Sequence, residues 1–379
     1  MSRELFTRKE DSNKLFMNLF TLNIFYQILS NSLLREIYSR ALFSYVGYGL
    51  IVILFFVGIL NGLIHLNRYR EIIKFFLLLT LIIVLFVQKN TSILFLVVFG
   101  FIASYLSISE VMECFFSGTI CAVLLLLILC ALSIVPYRDA YTGNIQLGFS
   151  NPNTIGFYFG LIPMEMFFLR KNKFSILLMS IISFVANFFL FQDYTMVLVL
   201  FIFIFILYLG KVFPRLLFSK TVKLITILLP YILTSLSIYL AINFTVNPLM
   251  YRINNMLSNR LYFWQEYIMA FPPKLGYQVT NMNQVYPLSF NAKWPFDGSY
   301  IYYLVTSGYV TYTIFLIVTT VAIYYFFKKK NVALIALTVA SLAIGFSESL
   351  LFSFYQSPFG VLAVAIVLFK IPFEKRENL

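Results

Sequence analysis

Long apolar runs separated by short polar segments dominate the hydrophobic pattern of this chain. A helix needs about twenty apolar residues to cross the hydrocarbon layer of a bilayer, and somewhat fewer where neighbouring helices shield its ends. The pattern predicts an all-α, polytopic membrane protein, with residues 1–379 forming a single membrane domain of about 12 transmembrane helices. The predicted spans are residues 15–33, 41–64, 72–88, 91–107, 115–135, 153–169, 174–191, 194–209, 221–242, 299–327, 332–347 and 352–370.

Residues 243–298, between the ninth and tenth spans, form the only long connection in this pattern. A connection of more than about 15 residues is usually functional or folds into a small unit of its own. Apolar side chains recur in it at helical spacing, at Leu257, Leu261, Trp264, Ile268 and Phe271, whereas Asn259, Arg260 and Glu266 lie off this stripe. We therefore expect a short amphipathic helix that lies on the outer leaflet and ends before Pro272 and Pro273.

The composition agrees with a membrane location. Hydrophobic residues make up 61% of the chain and charged residues 11%, against roughly 25% charged residues in soluble domains. A water-soluble globule is excluded, because it could not bury so much apolar surface. The net charge of +13 is spread over short basic clusters between apolar runs rather than gathered in one domain. Nucleic acid is therefore not an expected partner.

The basic clusters indicate orientation instead. With the N-terminus inside, most of the 28 Lys and Arg residues fall in cytoplasmic connections, which agrees with the positive-inside rule. Both termini are then cytoplasmic, and residues 243–298 form a large extracytoplasmic loop. The first span is expected to act as its own uncleaved insertion signal.

Few ionisable residues lie on the outer side in this orientation, and each of them needs a partner, a water-filled cavity or a function. These residues are Arg138, Asp139, Asp193, Arg252, Arg260, Glu266, Asp297 and Glu348. If they gather around one cavity, two or three arginines face outward together with several carboxylates. Guanidinium groups suit a diphosphate, which they bind through paired hydrogen bonds.

Each candidate also has a structural explanation. Arg138 and Asp139 are adjacent, and the structural explanation for them is a solvated loop pair. The structural explanation for Arg260 is that it anchors its helix to lipid phosphates. The structural explanation for Glu348 is that it forms a buried hydrogen bond between helices. Helix capping is the structural explanation for the two carboxylates at span entrances, Asp193 and Asp297.

Metal and histidine chemistry are not expected. The only histidine, His65, falls near the cytoplasmic end of the second span, far from the outer charges. The three cysteines lie in or beside one apolar run and are interpreted as packing residues: Cys114, Cys121 and Cys130. No metal and no cofactor are therefore expected. Glu165 lies near the cytoplasmic end of its span, where an ion pair with Arg170 is the simplest interpretation.

Four short segments share one further property, a resemblance to a known family. The first two are Gly148–Gly156 (GFSNPNTIG) and Leu257–Trp264 (LSNRLYFW). The third combines Asp297–Tyr300 (DGSY) with the nearby Ser307–Tyr309 (SGY), and the fourth is Glu348-Ser349. In this order they resemble the Wzy-type polysaccharide polymerases of the O-antigen ligase and polymerase superfamily. Two positions depart from the family pattern: Asn144 and Gln146 stand where many members carry an Arg, and Gln192-Asp193 replaces an S-R pair.

The resemblance implies a metal-independent glycosyltransferase that uses a lipid-diphosphate-linked donor and no nucleotide sugar. It would polymerise undecaprenyl-diphosphate-linked oligosaccharide repeat units into surface polysaccharide (capsule, exopolysaccharide or O-antigen) on the outer face of the plasma (inner) membrane. The implied partners are this lipid-linked oligosaccharide, membrane lipids, and the flippase and chain-length regulator of the same pathway.

The resemblance also assigns roles to residues. The implied catalytic residues are Arg260, Asp297 and Glu348. Arg260, with Arg138, would stabilise the departing diphosphate, and Asp297 or Glu348 would take the proton from the acceptor hydroxyl. The implied substrate-binding residues are Arg138, Asn151, Asn153, Arg252, Trp264 and Tyr300.

Three other functions remain open. A ligase would transfer finished glycan to another acceptor, but that branch usually carries His in the large loop, where this chain has Asp297. A lipid-linked glycan flippase or another secondary transporter usually shows related halves and broken helices, and the sequence indicates neither. The third is a scaffold for other assembly enzymes.

Overall fold

A computed structural model describes residues 2–63, 69–88, 90–139, 143–149, 151–169, 172–244, 248–285 and 296–369. Every regular element in these ranges is helical, which confirms the all-α prediction. The only strand-like pairings in them are isolated bridges, between Ser32 and Phe149 and between Arg138 and Ile145. His65 and Arg170, and with them the expected Glu165–Arg170 ion pair, lie outside the described residues.

The described ranges contain seventeen α-helices and one π-helical turn. They are α1 (Ser2–Ser30), α2 (Leu34–Ile37), α3 (Arg40–Leu63), α4 (Tyr69–Val87), α5 (Thr91–Ala103), α6 (Ile108–Ala131), α7 (Pro152–Phe168), α8 (Lys173–Val185) with the π-helical turn Ala186–Leu190, α9 (Tyr194–Val212), α10 (Pro214–Leu217), α11 (Lys220–Asn243), α12 (Pro248–Met256), α13 (Arg260–Ala270), α14 (Met282–Val285), α15 (Ser299–Lys328), α16 (Val332–Ser347) and α17 (Pro358–Val367).

Within the described ranges, six helical segments are long and apolar enough to cross a membrane: Arg40–Leu60, Ile108–Ala131, Lys173–Leu190, Tyr194–Val212, Lys220–Asn243 and Ser299–Lys328. Between 22% and 56% of the most apolar window of each is buried, and many of their large apolar side chains are exposed. Water disfavours such a surface, whereas lipid accommodates it. Shorter apolar helices are Ile72–Val87, Thr91–Ala103, Val332–Ser347 and Pro358–Val367. The six long helices indicate a multi-pass membrane protein.

Each predicted span overlaps a helix, but the last one is shorter than expected. The sequence predicted a span from residue 352, whereas α17 begins at Pro358 after a series of turns. The Ser357 hydroxyl accepts a hydrogen bond from Gly360 N at 3.0 Å. A capping hydroxyl followed by proline fixes a helix start, because proline needs no hydrogen-bond acceptor in the first turn.

The chain forms two compact units, one built mainly from residues up to 78 and 98–204, and one mainly from 79–97 and 205–367. In the first unit α1 packs closely on α6. Gly118 allows this approach, because a Cβ there would lie 2.8 Å from Ile24. The rings of Phe99 and Phe115 pack against Phe20, with centroids 5.1 and 6.1 Å away.

In the second unit, α15 packs on α11, α16 and α17 and is broken at Gly308, where φ is +77°. The chain segment Lys274–Gln278 lies against this break. Tyr309 N donates to the Lys274 carbonyl at 2.8 Å, and Gln278 N donates to the Thr306 carbonyl at 2.9 Å. The segment therefore satisfies backbone groups that the break leaves without helical partners. The sequence had indicated no broken helix, and this expectation is wrong at Gly308.

The amphipathic helix expected in residues 243–298 is α13, which ends before Pro272 as predicted. Its apolar stripe, however, packs against protein. Leu261 and Trp264 are 0% and 1% exposed, in a cluster with residues of α11, α12 and α15. Because this face is already buried, it does not need lipid to cover it. The position of α13 on the outer leaflet stays a prediction.

Candidate functional site

A tight turn between α12 and α13 positions Arg260. Ser258 and Asn259 adopt left-handed conformations, with φ of 52° and 64°, which Asn tolerates better than most residues. The buried Asn254 holds this turn: its Nδ2 donates to Asn259 Oδ1 at 2.9 Å, and its Oδ1 accepts from Tyr262 N at 3.1 Å. The first residue of α13 is therefore fixed in direction by a side chain of the preceding helix.

Arg260 contacts two carboxylates from distant parts of the chain. Its Nη2 lies 2.7 Å from Glu348 Oε1 and 3.8 Å from Asp297 Oδ2. The Arg260 side chain is 10% exposed and that of Glu348 is 16% exposed, whereas Asp297 is 32% exposed. Among the described residues, Arg260 Nε has no hydrogen-bond partner although it is buried. One guanidinium donor thus remains available in a partly enclosed charged cluster.

Asp297 is held through its backbone rather than through its carboxylate. Trp264 Nε1 donates to the Asp297 carbonyl at 2.6 Å. The following Gly298 has φ +89°, and a Cβ there would lie 2.7 Å from the Trp264 indole. Gly298, not Asp297, is the N-cap residue of α15, and no side chain caps this helix end. The capping explanation for Asp297 is therefore wrong, and its carboxylate faces Arg260.

Glu348 is fixed in a similar way by Ser299, the first residue of α15. The Ser299 hydroxyl and backbone N donate to the Glu348 carbonyl at 2.6 and 3.0 Å. The same hydroxyl accepts from Leu351 N at 3.0 Å. The start of α15 thereby positions both carboxylates of the cluster, one before it and one beside it.

Burial and charge alter the acidity of the groups around Asp297. Burial raises the pKa of the Asp297 carboxyl above its ordinary value, and the Arg260 guanidinium acts in the opposite direction. Burial, with Asp297 and Tyr302 nearby, raises the pKa of Tyr267 to about 12. A carboxylate whose pKa lies above the usual range is a better proton acceptor than an ordinary one. Asp297 is therefore suited to general base catalysis, beside a cation that can stabilise developing negative charge.

Three other predicted residues belong to the same unit but differ in exposure. Trp264 is 1% exposed and holds the Asp297 backbone, so it positions the site instead of facing an open cavity. Tyr300 is also 1% exposed, and its hydroxyl donates to the Leu342 carbonyl at 2.9 Å. Arg252 is exposed on α12. Of these three, only Arg252 presents its side chain at the surface.

The remaining predicted substrate-binding residues belong to the first unit. Arg138 is exposed, and its Nη1 donates to the Gly143 carbonyl at 3.3 Å. Asn151 caps α7 by accepting from Asn153 N at 2.9 Å, and both Asn residues are at least partly exposed. Asp193 caps α9 by accepting from Met196 N at 3.1 Å, as its structural explanation predicted.

Sequence reasoning missed the residues that position the charges. Ser299 and Gly298 lie inside the DGSY segment, which was noted only for its resemblance. Asn254 carries no recognisable signal, since nothing in its neighbourhood in sequence indicates that it bonds to the start of α13. Glu165 was expected to pair with Arg170; it is 0% exposed, and neither carboxyl oxygen has a hydrogen-bond partner among the described residues.

Within the described part of the chain, no group of three or more His, Cys, Asp or Glu side chains is arranged to hold a metal ion. The chemistry available at the cluster is that of one arginine, two carboxyl groups and nearby tyrosines. Comparison of the chain with protein-family models, curated proteins and solved structures found no match.

Proposed function

We propose that this protein is a polytopic membrane glycosyltransferase that polymerises undecaprenyl-diphosphate-linked oligosaccharide repeat units on the outer face of the plasma membrane. The observation that carries the proposal is the convergence of two carboxylates on the largely buried Arg260. Its Nη2 lies 2.7 Å from Glu348 Oε1 and 3.8 Å from Asp297 Oδ2. All three residues come from the segments that resemble the Wzy-type polymerases. About twelve spans, with both termini in the cytoplasm, are part of the same proposal.

The proposed reaction is a single displacement at the anomeric carbon of the donor sugar. The bond between this carbon and the diphosphate oxygen breaks, and the acceptor hydroxyl oxygen forms the new glycosidic bond with inversion. Asp297 takes the hydroxyl proton, because its carboxylate is the more exposed of the two. The diphosphate leaves as an anion, and Arg260 stabilises the charge as it develops. Glu348 holds Arg260 in position before the donor binds.

Other residues would extend the substrate site. Arg252, exposed on α12, is the second guanidinium proposed to bind the diphosphate. In the first unit Arg138 and Asn151 are exposed and Asn153 is partly exposed, and glycan binding by these three residues stays a prediction of the resemblance. Trp264 and Tyr300 are buried, so their proposed contribution is to the shape of the site. Membrane lipids and the flippase and chain-length regulator of the same pathway are the proposed partners.

One observation favours a second candidate function, a lipid-linked glycan flippase. Transporters use helices that are broken within the membrane, because the free backbone groups at the break bind substrate or ions. In α15 the break at Gly308 has this form, although the segment Lys274–Gln278 bonds to part of the freed backbone. The surface glycan of a strain that carries Arg260→Ala distinguishes the two functions.

The experiment replaces the chromosomal copy with Arg260→Ala and compares surface glycan with that of the parent strain. We expect single repeat units to remain while long chains disappear, when expression is adjusted so that the membranes contain as much variant as wild-type protein. Loss of all translocated repeats would instead identify a flippase, and unchanged chain length would remove Arg260 from the mechanism. Arg40→Ala is the matched control, because Arg40 makes an equally short ion pair with Glu36 at an exposed position. This control should leave chain length unchanged.

A further inference from the structure

A second polar site lies beside the break in α15. A cavity of about 210 Å³ is bounded by three parts of the second unit: residues 90–92 at the start of α5, residues 277–280 of the segment that meets the break, and residues 302–307 of α15. None of its lining residues belongs to the Arg260 cluster. Next to the lining residues Ser307 and Tyr277, Gly308 lets the chain at Gly276 approach the helix backbone.

The described residues of the lining are mostly polar, and none of them carries a formal charge. Hydroxyl and amide groups come from Asn90, Thr91, Ser92, Gln278, Thr280, Thr306 and Ser307, and aromatic rings from Tyr277, Tyr302 and Tyr303. No Lys, Arg, His, Asp or Glu is among the described lining residues, which disfavours a phosphate, an amine or a metal ion. A sugar ring matches this lining, because its hydroxyls exchange hydrogen bonds with such groups and its C–H faces pack on aromatic rings.

The size of the cavity favours a single sugar ring. Sites for drug-sized ligands are larger, at roughly 300–1,000 Å³. The cavity therefore suits one residue of an oligosaccharide.

One lining side chain has unused hydrogen-bonding capacity. Asn90 is 3% exposed, and its Oδ1 accepts from Ile93 N at 3.4 Å at the start of α5. Its Nδ2 is buried and has no hydrogen-bond partner among the described residues. Buried donors are normally paired. This one is closed to a water-sized probe, so a sugar in the cavity would reach it only after the Asn90 side chain rotates. The Gln278 Nε2, in contrast, is fully used, since its two N–H groups are shared among three carbonyl groups.

The cavity adjoins the charged cluster through aromatic rings. Tyr302 lines the cavity, and its ring lies 5.0 Å from that of Phe296. Phe296 precedes Asp297 and stacks on Tyr267 at 3.5 Å. Along α15, Thr306 lies seven residues after Ser299, or about 11 Å at 1.5 Å per residue, and Asp297 lies two residues before Ser299. A sugar in the cavity would thus be separated from the reacting group by the length of a short oligosaccharide.

We propose that this cavity binds a neutral sugar ring of the lipid-linked oligosaccharide, away from the reacting hydroxyl, and so selects which repeat unit is accepted. The proposal rests on the proposed function for the identity of its ligand. The uncharged lining means that binding needs neither the diphosphate nor Arg260. A free oligosaccharide without its lipid carrier is therefore a sufficient probe.

The test uses the full-length protein in lipid nanodiscs and the oligosaccharide repeat unit released from its carrier by mild acid. Saturation-transfer NMR should detect binding to the wild type and to Arg260→Ala with equal affinity. Tyr277→Phe and Thr280→Val should each weaken binding by about tenfold, because each removes one hydroxyl from the lining. Tyr309→Phe is the matched control, since Tyr309 is 49% exposed on α15 and does not line the cavity.

The outcomes separate this inference from the proposed function. If the wild type does not bind the free oligosaccharide, or if Thr280→Trp, which fills the cavity, binds it as the wild type does, the cavity is not a sugar site. Neither result changes the expected loss of long chains in Arg260→Ala cells. Conversely, retained binding together with normal chain length in Arg260→Ala would support the sugar site and overturn the polymerase mechanism. Size-exclusion profiles and thermal unfolding confirm that each variant is folded.

Discussion

Two ion pairs in this protein have the same geometry and different surroundings. In both Arg260–Glu348 and Arg40–Glu36, an arginine Nη2 lies 2.7 Å from a glutamate oxygen. The side chains of the first pair are 10% and 16% exposed, and those of the second 58% and 46%. The second pair joins residues four apart in sequence, one in α2 and the other at the start of α3, whereas the first joins residues 88 apart.

The difference teaches that the distance between two charges does not by itself predict how much the pair contributes to the fold. An exposed pair at helical spacing contributes little, since water solvates both partners when they separate. A largely buried pair from distant segments must be positioned by the fold. Here Asn254 fixes the turn before Arg260, and Ser299 fixes the backbone of Glu348. Such a pair holds charge in largely buried surroundings, and the fold depends on both partners being present.

The largest expected effect comes from removing the enclosed cation. Arg260→Met should lower the free energy of unfolding by about 3–5 kcal/mol, because it leaves Glu348 and Asp297 as unpaired neighbouring carboxylates. Denaturant unfolding of the purified protein in detergent micelles measures this loss. A loss below about 1 kcal/mol would show that the pair is as weak as an exposed one.

An effect of intermediate size is expected in the pH dependence of the free energy of unfolding. Burial raises the pKa of folded Asp297 above its ordinary value, while Arg260 acts in the opposite direction. The folded protein therefore binds this proton at higher pH than the unfolded chain, so the stabilisation is complete below the ordinary pKa and is lost as pH rises through the raised one. The slope is at most about 1.4 kcal/mol per pH unit.

Asp297→Asn should remove this contribution to the pH dependence. Unfolding free energies of the wild type and the variant, compared from about pH 4 to about pH 7, measure it. The wild type should lose stability relative to the variant as the pH rises. A difference that is constant across this range would contradict the raised pKa.

The smallest effect is expected at the exposed pair. Arg40→Met should change the free energy of unfolding by about 0–1 kcal/mol, because both partners are solvated at this position. The same micelle unfolding assay, run beside Arg260→Met, measures the difference between the two pairs. If the two variants lost equal stability, burial would not distinguish these ion pairs.

The helices could largely be predicted from the sequence, because apolar runs of membrane length leave little choice of structure. The end of α13 followed from Pro272, which cannot continue a helix. The break in α15 could not be predicted from periodicity. Gly308 permits the break, but the chain that fills it, at Lys274–Gln278, is distant in sequence.

The candidate site was partly predictable. Arg260, Asp297 and Glu348 were selected because charges are rare in apolar chains and because their segments resemble a family. That they meet depends on long-range packing, which no local pattern encodes. The apolar stripe of α13 illustrates the limit, since the same periodicity serves for lipid or for protein contact. Leu261 and Trp264 are in fact buried against other helices.

Gln278 has a consequence for how this chain tolerates insertions and deletions. Its side-chain amide joins the carbonyl groups of Phe271 and Pro272 to that of Val305 on α15, at 2.9 to 3.2 Å. These hydrogen bonds fix the number of residues between the end of α13 and the break. One additional residue in this segment would move the Gln278 amide away from the three carbonyl groups. Natural variation in length is therefore expected after Gln278 and not before it.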